Sequence, residues 1–367
     1  MKWLLGWLVL LAGCGGAGAK LERGSVGTCT RLQSERAVRG QRLCEAVWTC
    51  VRPPGGPFDR VGLRRIATCD AASGPLVLYL PGMHMNGEVP FAAAGNDIKL
   101  YLAQAGFRVW AVDYRTHAVP PEATGEQLTA LASWTSDLFA DDVAWGMGFI
   151  HGVEPGPFFL MGFSYGAGLS YRVAARDPGG LAGLVILDGM PPGNANPGGG
   201  VAAIDVGSTR LPYERRQQLL AAVKRNPDSP SPIAGYASAG AALTDILFTA
   251  ASFGGQGGLS NAKNDVSDPQ ILATLLAGYD RWWPGAAGGG PAVQPSRPLP
   301  VLAFTGGQMG EAWNERVRAG ALAFGGGQAD VRVVPKYGHL DVLVGTQAVR
   351  NVYEPARAWM LGRGGAH

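Results

Sequence analysis

The residues best suited to covalent chemistry lie in Phe159-Leu-Met-Gly162-Phe-Ser164-Tyr-Gly166-Ala-Gly168. A serine on a strained strand-to-helix turn needs glycine two residues to either side, because side chains there would collide with the backbone. Such a turn also sets the serine at a helix N-terminus, where the dipole and unsatisfied N–H groups favour an oxyanion. In a chain with 56 glycines a G-x-S-x-G string arises readily by chance; its weight here comes from following an apolar run and opening a helical one. The plainer alternative is an N-cap serine in a tight turn.

A nucleophilic serine needs a base from elsewhere in the fold. Of the five histidines, His339 lies in Val333-Val-Pro-Lys-Tyr-Gly338-His339-Leu-Asp341, after the last strand-like run and before the last helical one. His367 ends the sequence, His117 follows a run ending at Asp113, and His151 precedes a strand. His84 sits in a glycine-containing loop and reads equally as a pocket residue or a solvated loop residue.

Alternating strands and helices must bring Ser164 and His339 together. Arg42 to Arg52 and Arg60 to Thr68 read as strands around Pro53-Pro54-Gly55-Gly56. Runs at Leu76 to Leu80, Phe107 to Val112, Phe158 to Met161 and Leu184 to Leu187 are continuously apolar, the mark of strands buried on both faces. Helices are expected over Ile98 to Ala105, Gln127 to Ile150 and Ala167 to Ala175. The alternation implies an α/β fold with a mostly parallel sheet flanked by helices. It stops over 189–297, where glycine and proline bracket three helical stretches near Pro212 to Arg225, Ser238 to Ala251 and Pro269 to Trp283. That segment reads as a helical cap inserted over the C-terminal edge of the sheet. Alternation resumes with strands Pro300 to Thr305 and Val331 to Pro335, and a last helix from Gln347 to Leu361. The expected organisation is therefore a leader over 1–13, a tether and N-terminal segment over 14–39, a core over 40–188 and 298–367, and the cap over 189–297. Within the cap, Tyr279, Trp282 and Trp283 stand beside a glycine-rich hinge and are expected to line an apolar pocket, the alternative being that they pack the cap's own core.

With these motifs in place the chain resembles the α/β-hydrolase superfamily from about residue 40 to the end. The tail Gly338-His339-Leu340-Asp341, followed by Val342-Leu-Val-Gly345 and a helix containing Trp359, is similar to the esterase and acid-lipase branches. The resemblance implies hydrolysis of a carboxylic ester, with His339 as base and no cofactor. It also implies an oxyanion hole from the loop Pro81-Gly82-Met83-His84-Met85-Asn86-Gly87, in which the N–H of Met83 joins that of Tyr165. One position departs from the pattern: the slot where the acid is usual, three residues beyond Gly306, holds Met309. Asp188, 24 residues after Ser164, resembles the alternative acid site of some lipases, and it is preferred to Glu311 because a strand end is better preorganised than a glycine-rich loop. Asp341 lies too near His339 along the chain to be the first choice. An aminopeptidase or amidase on the same scaffold would need acidic cap residues clustered to grip an amine, but Asp205, Glu214, Asp245 and Asp280 are scattered. An inactive binding protein is the remaining alternative, supported only by Met309.

The N-terminus opens Met1-Lys2, then runs apolar from Trp3 to Ala12 and ends in Gly13-Cys14, a pattern of export too short to span a bilayer. Leu11-Ala12-Gly13-Cys14 resembles the bacterial lipobox, which implies lipidation of Cys14 and anchoring to a membrane, with Gly15 pointing to the outer membrane. The other four cysteines, Cys29, Cys44, Cys50 and Cys69, fall within 41 residues and are expected to form two disulfides of unspecified pairing. A zinc site fits poorly, since Cys44 and Cys50 lack the usual two-residue spacing and no histidine lies near. No metal is expected. The net charge of +3 is made of interspersed signs with no basic run, so nothing points to nucleic acid. The partners expected are a small-molecule or lipid ester and a membrane.

Overall fold

The computed structural model describes residues 22–26, 29–38, 41–70, 73–177, 179–193, 198–204, 211–249 and 258–364. Cys14 and the leader lie outside the described residues. The strands are β1 (Glu22–Val26), β2 (Cys29–Val38), β3 (Gln41–Val51), β4 (Arg60–Thr68), β5 (Leu76–Leu80), β6 (Arg108–Asp113), β7 (Phe158–Phe163), β8 (Leu181–Leu187), β9 (Val201–Ala203), β10 (Trp282–Pro284), β11 (Val301–Gly306) and β12 (Ala329–Val334). The helices are α1 (Ile98–Gln104), α2 (Glu126–Thr129), α3 (Ser136–Val153), α4 (Tyr165–Arg176), α5 (Tyr213–Arg225), α6 (Ala239–Thr249), α7 (Pro269–Ala277), α8 (Glu311–Gly325), α9 (Asp341–Val344) and α10 (Glu354–Gly364).

Ten strands form one sheet in the order β1-β2-β3-β4-β6-β5-β7-β8-β11-β12. From β6 to β12 every pairing in it is parallel, while β1 to β4 pair antiparallel and β4 meets β6 antiparallel. The apolar runs are sorted by parity. Val77 and Tyr79 of β5, Phe159 and Met161 of β7, and Val185 and Leu187 of β8 enter a core shared with α1, α10 and the insertion. Their neighbours Leu76, Leu78, Leu80, Phe158, Leu160, Leu184 and Ile186 face the opposite way, toward α3, α4 and α8. A strand with both faces covered has no polar face to alternate, which is why these runs read as unbroken.

Three features differ from the sequence reading, and the two expected disulfides now have their pairing. The sheet begins before residue 40, since β1 and β2 extend it; β2 is largely polar from Thr30 to Arg36 and has no apolar run to betray it. Two disulfides, Cys29–Cys50 and Cys44–Cys69, tie β2 to β3 and β3 to the end of β4, within the cluster of cysteines where they were expected. The helix expected over Gln127 to Ile150 is split, because Thr135 caps α3 by accepting from the N–H of Leu138. In the insertion, α7 stops at Ala277 before Gly278, so Trp282 and Trp283 fall on the short strand β10, paired with β9. The helices α5, α6 and α7 share the same apolar core as Met85 and Phe163, which fastens the insertion onto the C-terminal edge of the sheet.

Candidate active site

Ser164 follows the last residue of β7 and caps α4 with φ of 54°, a left-handed backbone that a serine adopts only when its surroundings fix it. The flanking glycines explain how. A Cβ on Gly162 would lie 2.3 Å from the carbonyl oxygen of Gly166, and one on Gly166 would lie 2.0 Å from that of Leu80. A third glycine the sequence reading did not single out, Gly189, passes so close that its Cβ would lie 2.7 Å from the carbonyl oxygen of Ser164. The serine N–H donates to Leu187 O at 3.0 Å, so the turn is moored to β8 as well.

His339 follows β12 by a short loop and is buried, with 2% of its surface exposed. Its ring lies 4.7 Å from that of Phe163, the residue before the serine, and edge-on to Trp313 at 5.8 Å. Nδ1 stands 2.5 Å from Asp188 Oδ2. A carboxylate only accepts, so Nδ1 carries the hydrogen and Nε2 is left as the basic nitrogen. Asp188, fully buried just beyond β8, presents its other oxygen to three donors: Thr305 Oγ1 at 2.8 Å, Gly306 N at 2.9 Å and Trp313 Nε1 at 3.1 Å. Those donors hold the carboxylate in one orientation and compensate its burial. Glu311, the other carboxylate weighed, begins α8 and is exposed to solvent. Asp341 is also fully buried, but it accepts from Ser260 Oγ, Ser267 Oγ and the N–H groups of Asn261 and Gly338, at 2.6 to 2.8 Å. It ties the histidine loop to the insertion and does not face the imidazole.

The loop after β5 carries Gly82 against Phe163, where a Cβ would lie 2.9 Å from the ring. Met83, Ser164 and Tyr165 together line a cavity of about 620 Å³. That volume suits a small organic substrate. Its lining also includes Met190, Pro191 and Pro192 after β8, Ala287 in the insertion, Trp313 and Arg316 in α8, and Arg172 in α4. No carboxylate lines it among the described residues.

The aromatic trio is where the sequence expectation fails. None of Tyr279, Trp282 and Trp283 lines this cavity. Trp283 is buried beneath it, packed edge-on to Tyr165 at 4.9 Å and against Phe139 at 5.5 Å. Trp282 donates to Pro120 O at 3.1 Å, and Tyr279 is half-buried near Arg216, with desolvation pushing its phenol up. Because α7 ends at Ala277, Trp282 and Trp283 fall on a strand that buries Trp283 in the core and leaves Trp282 half-buried against Pro120. Trp283 thus supports Tyr165 from behind.

His84 has φ of 61°, and burial lowers its pKa from 6.5 to about 4, the hydrogen bond to Asp280 O notwithstanding. It is a neutral structural residue of the loop after β5.

Fold and site geometry together define an α/β hydrolase. The chain matches the alpha/beta hydrolase family over residues 77–352 and belongs to it. Among solved structures it is similar to a candidate lipase from Sulfolobus solfataricus, at 21% identity and a TM-score of 0.70, covering 94% of this chain and 98% of that one. It is also similar to an α/β-hydrolase fold protein from Nakamurella multipartita, at 19% identity and a TM-score of 0.50, covering 87% of this chain and 100% of that one. A carboxyl esterase from Bacillus coagulans gives 14% identity and a TM-score of 0.50, with 87% and 98% covered. At these identities the likeness is one of fold. No curated protein matches the sequence.

Proposed function

We propose that this chain is an exported serine hydrolase that cleaves carboxylic esters through an acyl-enzyme. The observation that carries the reading is the buried Asp188–His339 hydrogen bond, set behind a serine held in a left-handed turn. Ser164 Oγ attacks the carbonyl carbon while its proton passes to His339 Nε2. The oxyanion is held by the N–H groups of Met83 and Tyr165. As the tetrahedral intermediate collapses, the imidazolium returns its proton to the leaving alcohol; water then repeats the sequence on the acyl-enzyme and frees the acid. Asp188 keeps the imidazole in the required tautomer and stabilises its charge.

An aminopeptidase needs a carboxylate to grip the substrate amine, and none faces the cavity among the described residues. Glu214 is exposed, Asp245 pairs with Lys263 at 2.6 Å, Asp280 is engaged elsewhere, and Asp205 lies outside the described residues. The inactive-protein reading rested on Met309 alone, and Asp188 supplies a carboxylate without that position. The test is a series of p-nitrophenyl esters of increasing chain length set beside aminoacyl p-nitroanilides, using the chain without residues 1 to 19. Ester kcat/KM should exceed anilide kcat/KM by roughly a hundredfold or more, since hydrolysis of either depends on differential binding in the transition state. The opposite order would support the aminopeptidase.

The 620 Å³ cavity, lined by methionine, proline and alanine with Arg172 and Arg316 beside them, supports an ester of modest size with an apolar acyl or alkyl part. The N-terminal pattern supports a lipid anchor on Cys14, and no helix of the described residues is long and apolar enough to cross a membrane. Replacing Cys14 with Ala should therefore move the protein from the membrane pellet to the soluble fraction, because a nearly neutral surface offers little other attraction to lipid. A variant that still sediments with membranes would remove the anchor from the reading.

A further inference from the structure

Asp280, which follows α7 in the insertion, makes five hydrogen bonds to two loops of the core. Its N–H donates to His84 O at 2.7 Å, and its own carbonyl accepts from His84 Nδ1 at 3.0 Å. Its Oδ1 accepts from Asn86 Nδ2 at 3.0 Å and from His117 Nδ1 at 2.9 Å, and its Oδ2 from Thr116 Oγ1 at 3.1 Å. Asn86 also donates to Gly278 O at 2.9 Å. His84 and Asn86 belong to the loop that carries Met83. That loop has left the sheet, whose ladder to β7 ends at Leu80, and Met83 itself is 39% exposed. Tyr114 Oη donates to Pro81 O at 2.9 Å just before Met83, and the backbone direction there is set by that bond together with what grips the residues after it. His84, next in line, stands at φ of 61°, a conformation a non-glycine residue keeps only when held.

We propose that Asp280 is a positioning residue of the active site: from the insertion it fixes the Pro81–Gly87 loop so that the Met83 N–H points at the developing oxyanion over Ser164. This rests on the serine-hydrolase reading above and deepens it, because it gives the insertion a part in the chemical step. A preorganised donor displaced by a fraction of its hydrogen-bond length loses most of its value. His117 extends the clamp. Facing it are Asp280 from the insertion, Glu88 Oε1 at 3.8 Å, Arg64 Nη2 at 3.4 Å from β4, and Asp113 at the end of β6. Burial opposes its charge, but the hydrogen bond to Asp280 and the fields of Asp113, Asp280 and Glu88 outweigh it, raising the pKa from 6.5 to about 9. The charged pair is thus present at neutral pH and lost as pH rises through about 9, its contribution to folding being complete only below about 6.5.

The experiment measures kcat, KM and the inhibition constant of an aryl trifluoromethyl ketone, whose adduct with a serine carries the oxyanion. Asp280→Ala should lower kcat by roughly tenfold to a hundredfold, with KM within about threefold, and should weaken the ketone by the same factor as kcat/KM. His117→Gln should cost less at pH 7 and should lack the decline in kcat expected of the parent through about pH 9. A folded Asp280→Ala whose kcat and ketone affinity stay within threefold of the parent overturns the proposal, whatever happens to its melting temperature. If that variant does not fold, Asn86→Ala takes its place under the same criterion. A parent chain that hydrolyses no ester and binds no ketone overturns the hydrolase reading and this one with it, whereas an active parent with an indifferent variant overturns only this one.

Discussion

Asp188→Asn should slow the chemical step by roughly a thousandfold to ten-thousandfold, while Glu311→Gln leaves it within about threefold. The amide keeps the shape of the side chain but can present Nδ2 to the imidazole, which then holds the wrong tautomer or loses the contact. Its neighbours sharpen the effect. Thr305, Gly306 and Trp313 all donate to Oδ1, so the asparagine oxygen is drawn to them and its NH₂ is turned toward His339 Nδ1. Two donors would then face each other in a buried place. Glu311 has no such geometry, standing exposed at the start of α8. Single-turnover kinetics on a p-nitrophenyl ester separates the chemical step from binding; a large loss in Glu311→Gln and a small one in Asp188→Asn would move the acid to the loop.

Gly166→Ala is the second change expected to be severe. The added methyl would lie 2.0 Å from Leu80 O and 2.6 Å from Pro81 O, both backbone atoms where β5 passes into the loop after it. No side chain can swing aside, so either α4 or that loop must move, at a cost of about 3 kcal/mol or more. Any folded variant should have lost activity by roughly a hundredfold, because the same displacement moves the serine and the Met83 donor apart. Gly148→Ala is the control. It lies inside α3 with nothing within 4 Å of its Cβ, and should stabilise the protein by about 0.5–1 kcal/mol through helix propensity. Thermal melts and esterase assays on both variants check the contrast; a Gly166→Ala protein with parental stability and rate would mean that the turn does not require glycine there.

How much of this was legible in the sequence depended on how local each feature is. The serine turn is written into the five residues Gly162 to Gly166, although the backbone that excludes a side chain at Gly166 belongs to Leu80 and Pro81. The doubly buried strands announced themselves because both their faces are apolar, whereas β2, with a largely polar run, did not. Asp188 could be preferred to Glu311 from its place at a strand end. What makes it a good partner for His339 could not be read, since Trp313 is 125 residues further along the chain. The same distance hides Asp341, whose carboxylate joins the histidine loop to residues 260–267, and Asp280, which reaches back to His84, Asn86, Thr116 and His117. Along the sequence Asp280 was one of several scattered acids and Asp341 stood too near His339 to be the first choice; in space both bind the insertion to the loops that flank the serine. Trp283 misled for a related reason. An aromatic residue beside a glycine-rich stretch carries the same pattern whether it faces a substrate or supports Tyr165 from below, and only the early end of α7 decides between them.

The most direct measurement is labelling by a fluorophosphonate probe, followed by mass spectrometry of the tryptic peptide. The parent chain should take up one phosphonyl group, with the adduct on Ser164, and Ser164→Ala should take up none while keeping its circular dichroism spectrum and losing all ester hydrolysis. Labelling of another residue, or a Ser164→Ala protein that still turns over esters at the parental rate, would contradict the assignment of Ser164 as the nucleophile.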